Sequence, residues 1–284
     1  MANEVKAGEE RAMTNDVKAG ESKKRKRKEV AIFGNYRNYY GYRVCKDMKA
    51  DPRLTVLKKE WFEDKDCLDI GCNQGLVTIE IAKTYHCRSI LGVDIDASLV
   101  ESAYWNLRKI AKMESAGCPS PDVSEPGHLD RGRDLKHSDA ISSEEGKQDH
   151  PKSLLDIVSF QKQNFVDHLR KHGEKYDTIT CFSVTKWIHL NWGDEGLLTL
   201  FHNIWTLLRP GGVLVLEPQP WKSYKSNYLV SETATSHYHS IVFHPCWFQE
   251  ILLDKIGFRT VESCVSSLPG SATGFNRPLF AFRK

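Results

Sequence analysis

The sequence predicts an α/β fold: a mostly parallel seven-stranded sheet with helices on both faces and an antiparallel hairpin at its C-terminal end. Three observations carry this. Apolar strand-like runs alternate with helical patterns from residue 67 to 216, the mark of a parallel sheet. The first strand runs straight into a glycine-bearing turn and a helix, the arrangement in which open α/β sheets bind ligands. The chain closes on two β-rich runs with no helix between them, which suits an antiparallel connection.

Each element follows in order. Cys67 to Gly71 reads as a buried strand, and Val77, Ile79, Ile81 and Ala82 belong to the helix after it. Ile90 to Ile95 is a second strand, followed by a helix from Leu99 to Ile110 with apolar residues at helical spacing. Val158 to Phe165, Tyr176 to Val184 and Val213 to Leu216 are the third, fourth and fifth strands, the last after the turn Arg209-Pro210-Gly211-Gly212. Helices are expected at about 194–208 and 245–256, and the closing strands at Arg259 to Val265 and Pro278 to Phe282.

The chain has 284 residues, 40% apolar and 27% charged, with a formal net charge of +3. No run of about 18 apolar residues offers a membrane span. The N-terminus lacks the apolar stretch of a secretory signal. Eight scattered cysteines include no C-x-x-C pair, so no metal site is expected and the compartment is read as reducing.

Two stretches fall outside the globular pattern. Residues 1–30 are read as a disordered tail; its first 28 residues have no aromatic and a net charge of +4, ending in the basic run Lys23 to Lys28. That run suits nuclear import, an arm for nucleic acid phosphates, or a solvated tail. Nuclear residence is therefore expected, with cytoplasmic as the alternative. A Ser-, Asp-, Glu- and Pro-rich stretch at about 114–153 is read as a disordered acidic insert. Strands continue beyond it, so residues 31–284 are read as one domain carrying an insert.

The chemistry centres on Asp69-Ile70-Gly71-Cys72-Asn73-Gln74-Gly75. Its glycine spacing is G-x-x-x-G, which is not the dinucleotide fingerprint. Asp94 follows about 20 residues later at a strand end, where a carboxylate can accept from both hydroxyls of a ribose. With the Arg-Pro-Gly-Gly turn, these features resemble class I (Rossmann-like) S-adenosylmethionine-dependent methyltransferases. The usual middle glycine is Asn73 here. The segments Phe33 to Arg43 and Thr185 to Gly196 further resemble the bicoid-interacting-protein family of RNA 5′-phosphate methyltransferases. That resemblance runs from Phe33 to the C-terminus, the insert excepted.

The resemblance implies S-adenosylmethionine as cofactor, S-adenosylhomocysteine as product, no metal, and methylation of the γ-phosphate of a small non-coding RNA. The implied partners are RNA with a 5′-triphosphate end and RNA-associated proteins, with no membrane; a monomer is assumed. Carried over residue by residue, cofactor contact falls on Tyr40, Arg53, Gly71, Cys72, Asn73, Gly75, Asp94, Ile95, Asn164, Phe165 and Phe182. The substrate side falls on Lys186, Arg43, Tyr39 and His189, with Arg277 beside them. Tyr39, Tyr42 and Trp187 are candidates for stacking on the first base. Plainer readings stand alongside: core packing for Phe165 and Phe182, a surface ion pair for Arg53, a structural role for His189. Two other functions remain open, a class I methyltransferase for another acceptor, 5′-monophosphate RNA included, and a non-catalytic RNA-binding chaperone.

Overall fold

The computed structural model describes residues 31–37, 51–117, 152–167, 173–265 and 277–284. The basic tail, most of the insert, and Tyr39, Tyr40, Tyr42 and Arg43 lie outside the described residues.

Five strands run parallel: β1 (Asp66–Ile70), β2 (Ser89–Asp94), β3 (Val158–Lys162), β4 (Tyr176–Phe182) and β5 (Leu208–Glu217). Two more, β6 (Thr260–Val265) and β7 (Leu279–Arg283), complete a seven-stranded sheet of order β3-β2-β1-β4-β5-β7-β6. β7 is wedged antiparallel between β5 and β6, so the closing hairpin forms one edge. Strand order reverses between β1 and β4, which opens a crevice above their carboxyl ends.

Helices cover both faces, as a buried parallel sheet requires. On one face lie α1 (Leu76–Tyr85), α2 (Ala97–Gly117), the single turn α3 (Leu154–Ile157) and the segment 52–62. Their core includes Trp61, Phe62, Ile79 and Ile81, and α2 adds Val100, Ala103 and Leu107 at helical spacing. α2 carries through 114–117, four residues into the stretch read as insert.

On the other face lies α4 (Thr185–Leu207), with Leu197, Leu200, Phe201 and Ile204 fully buried. It starts nine residues before the expected helix at about 194–208. Gly193, at φ 65° and ψ −164°, breaks it into two helical stretches. The first stretch escapes sequence reading because Trp187, Ile188, His189 and Leu190 are all buried, leaving no polar face to set a period. Two helices absent from the sequence reading, α5 (Trp221–Lys225) and α6 (Glu232–Ser240), close over that stretch through Leu190, Tyr224, Ala234 and Ile241. The expected helix at 245–256 is one helical run, α7 (Phe248–Glu250) with a 3-10 turn before it and a wide π turn after it.

Candidate active site

The loop after β1 forms the floor of the crevice. Gly71 has φ +77°, and a Cβ there would lie 2.3 Å from Val184 Cγ2, so only glycine lets the loop come this close to the end of β4. The Gly71 and Cys72 amides both donate to the Val93 carbonyl, at 2.8 and 3.0 Å. Asn73, where the resemblance leads one to expect glycine, takes a positive φ of 52°. Its side chain makes that conformation serviceable: Oδ1 accepts from the Gln74 amide at 2.9 Å, and Nδ2 donates to the Tyr36 carbonyl at 3.2 Å.

Asp94 ends β2 beside this loop. Oδ2 accepts from the Asn73 amide at 2.9 Å and Oδ1 from the Asp96 amide at 3.0 Å, which fixes the carboxylate and leaves lone pairs over. Burial pushes its pKa up, against the pull of those two amides.

The cleft encloses about 930 Å³, its open mouth included. Asp69, Gly71, Cys72, Asn73, Asp94 and Ile95 line one side, and Gln163, Asn164 and Phe165 the end beyond β3. Phe182, Ser183, Val184, Trp187 and Ile188 line the β4 side. Phe33, Gly34 and Asn35 close over the top, where Phe33 stacks on Trp192 and Asn35 donates to Asp96 at 2.6 Å. Arg53 reaches the cleft from below, its guanidinium 5.0 Å above the Phe182 ring. It is not a surface residue: it is 2% exposed and held by Asp51 and Glu217 at 2.6 and 2.9 Å.

The structure therefore brings together Arg53, Gly71, Cys72, Asn73, Asp94, Ile95, Asn164, Phe165 and Phe182 around one cleft. Gly75 is a correction. It does not line the cleft; at φ +74° it starts α1, and a Cβ there would meet Phe160 at 2.5 Å and Ala103 at 2.8 Å. Its role is helix–sheet packing.

The substrate-side residues divide. The Lys186 ammonium turns toward α5, donating to Ser223 Oγ at 3.1 Å and Asn227 Oδ1 at 2.6 Å, and lies 4.1 Å over the Trp187 ring. Arg277 stands at the ends of β4 and β5, donating to Ser183 Oγ at 2.6 Å. His189 is the second correction: its side chain is fully buried and away from the cleft. Its ring bonds Asp194 through Nε2 at 2.7 Å and the Tyr224 hydroxyl through Nδ1 at 3.3 Å. Burial lowers its pKa despite the Asp194 carboxylate, so the imidazole is neutral. Burial raises the Asp194 pKa, but His189 and the Val242 and Phe243 amides outweigh it, and the carboxyl ends below its ordinary value. Neutral His189 donates from Nε2 and accepts at Nδ1.

Sequence reading gives Gln163, Ser183 and Trp192 no role in the site and takes Asp69 only as the start of the loop motif. Asp69 had a usable signal, a carboxylate inside an apolar strand run. It accepts from Thr78 and Thr180 at 2.6 and 2.8 Å.

Comparison with known proteins places the chain in a family. Residues 176–284 match the model of the Bicoid-interacting protein 3 (Bin3) family. A probable RNA methyltransferase of Arabidopsis thaliana is 58% identical over 264 residues, 92% of this chain and 83% of that one. The U6 snRNA methylphosphate capping enzyme Amus of Drosophila melanogaster is 34% identical, over 89% of this chain and 74% of its own. The 7SK snRNA methylphosphate capping enzyme of Mus musculus is 37% identical over 89% of this chain, which spans 40% of that relative's length. With a methyltransferase strand order and a cleft at the switch point, the chain belongs to the Bin3 family and is an S-adenosylmethionine-dependent methyltransferase.

Proposed function

We propose that the chain methylates the γ-phosphate at the 5′-triphosphate end of a small non-coding RNA. The carrying observation is the charge at the carboxyl ends of β4 and β5. Lys186 and Arg277 stand there as cations, while His189 on the same helix has both ring nitrogens committed. Such a site suits an acceptor that arrives as an anion. A terminal phosphate has a second pKa near 6, so its oxygen is largely deprotonated at neutral pH and needs no general base.

The cleft fits the cofactor. Asp94 offers lone pairs for the ribose diol, and Phe165 and Phe182 give apolar surface for the remainder. Arg53, which lines the cleft with its guanidinium 5.0 Å from the Phe182 ring, is the cation placed to meet the methionine carboxylate. When bound, S-adenosylmethionine supplies an electrophilic methyl group on its sulfonium. Lys186 and Arg277, with Arg43 and Tyr39 upstream in the sequence, would hold the triphosphate and orient its terminal oxygen toward the methyl donor. Joining a cationic methyl donor to an anionic acceptor would create little new charge, so the work left to these residues would be orientation. Proximity and orientation can supply roughly 7–11 kcal/mol.

The relatives named for U6 and 7SK snRNA support an RNA substrate and nuclear action. The basic run Lys23 to Lys28 supports the same address. A Xenopus laevis relative, 27% identical over 69% of this chain, is named for 5′-monophosphate ends of pre-miRNA, which makes the monophosphate the competing acceptor. Labelled methyl transfer to one RNA with a triphosphate, a monophosphate or a hydroxyl 5′ end tests the reading. Preference for the triphosphate supports it; preference for the monophosphate replaces it.

A further inference from the structure

Glu217, the last residue of β5, is 1% exposed and sits beside Phe182 in the sheet register. Its Oε2 accepts from Arg53 Nη1 and from Ser183 Oγ, both at 2.9 Å. Its Oε1 accepts no hydrogen bond and lies 3.7 Å from Arg277 Nη1. One buried carboxylate thus stands between the arginine facing the cofactor and the arginine facing the acceptor. Asp51 holds Arg53 from its other side at 2.6 Å.

The link between them is Ser183. It has φ +62°, a strained conformation for a side chain other than glycine, at the end of β4 where it lines the cleft. Three contacts besides the one to Glu217 Oε2 hold it there. Its amide donates to the Glu217 carbonyl at 3.1 Å, Gln219 Nε2 donates to its carbonyl, and Arg277 donates to its hydroxyl at 2.6 Å. The Ser183 hydroxyl passes Arg277 on to Glu217: it accepts from the guanidinium and donates to the carboxylate. Strain of this kind persists only where surrounding structure fixes it.

We propose that Glu217 is a positioning residue for methyl transfer, setting the spacing of Arg53 and Arg277 through Ser183 so that cofactor and acceptor phosphate are held in register. This rests on the reading of the site as an RNA 5′-phosphate methyltransferase. The anion also partly neutralises Arg277, which limits how tightly the cation grips the nucleophilic oxygen.

Glu217→Gln tests it, because glutamine keeps the shape and one acceptor but carries no charge. Steady-state kinetics on 5′-triphosphate RNA should show kcat lower by about tenfold or more, with KM for RNA unchanged or lower. A merely structural residue would instead raise both KM values and lower the melting temperature in step. Arg277→Gln should lose kcat similarly, Arg277→Lys should recover it to within about threefold, and Arg277→Gln on the Glu217→Gln background should add little, since coupled residues are non-additive. The Arg277 variants carry the test alone if Glu217→Gln does not fold. An unchanged kcat in Glu217→Gln, or in Arg277→Gln where that variant stands alone, overturns the proposal while leaving the methyltransferase reading intact. Full additivity of the pair does the same. A wild-type chain that methylates none of the RNA ends overturns both.

Discussion

The Asn73 amide donates to Asp94 Oδ2 at 2.9 Å, tying the loop after β1 to the end of β2 along one side of the cleft. One hydrogen bond thereby sets the distance between the residue that replaces the usual glycine and the carboxylate offered to the ribose. Asp94→Ala removes the ribose acceptor and also leaves the Asn73 and Asp96 amides short of a partner. A lost buried partner costs about 1–3 kcal/mol, so affinity for S-adenosylhomocysteine should fall roughly 5- to 150-fold by calorimetry. Asp94→Asn, which keeps one acceptor oxygen, should fall less. Unchanged affinity in both would remove Asp94 from the site.

Lys186 predicts a different pattern. Lys186→Ala should cut transfer to RNA by tenfold or more while S-adenosylhomocysteine affinity stays within about twofold, since a charged hydrogen bond contributes roughly 1.5–3 kcal/mol. The ammonium is also held by Ser223 and Asn227, so a melting curve must accompany the kinetics. RNA binding should weaken as salt rises, and the slope should be shallower in the variant, because each phosphate contact releases counterions. Equal loss of cofactor and RNA binding would place Lys186 in the fold rather than the site.

The acceptor's ionisation predicts the pH profile. If the nucleophile is a terminal phosphate oxygen, the rate should climb through a pKa near 6 and then stay level until lysine deprotonates near 10. The His189 ring is committed to Asp194 and Tyr224, so His189→Gln should leave that rise in place. A rate that kept rising above pH 8 would indicate a hydroxyl acceptor and a general base.

The sequence made the catalytic end of the sheet legible because its signals are local. An apolar run broken by Asp69 marks β1 as a buried strand, and the turn and Asp94 follow at fixed spacing. What stayed hidden depends on contacts far apart in the chain. Arg53 and Glu217 are 164 residues apart, and nothing around either marks the pairing. The first half of α4 hides because every face of it is buried. Gly75 misled for a related reason: a glycine needed by Phe160 and Ala103 looks the same in sequence as one needed by a ligand. His189 misled because a polar residue in a family motif reads as reactive, whereas this one joins α4 to α5.

That joining role yields a stability prediction whose sign is fixed by burial. His189 is fully buried, and the folded state lowers its pKa below the ordinary 6.5. Below pH 6.5 the unfolded chain takes up a proton there that the folded chain resists. The unfolded state then binds more protons, so stability rises with pH up to about 6.5 and is level above it. Acidification from pH 7 to 5 should lower the melting temperature of the wild type. His189→Gln, which can still donate to Asp194 but carries no titrating group, should flatten that dependence. His189→Ala should cost about 2–4 kcal/mol at neutral pH, from a cavity and from the unpaired Asp194 and Tyr224 groups. At a temperature where the glutamine variant is folded, its methyl transfer to RNA should remain within about threefold of wild type, since the ring touches no wall of the cleft. A glutamine variant that folds normally yet loses transfer altogether would return His189 to the chemistry, and the acceptor would then have to be a group whose proton must be removed.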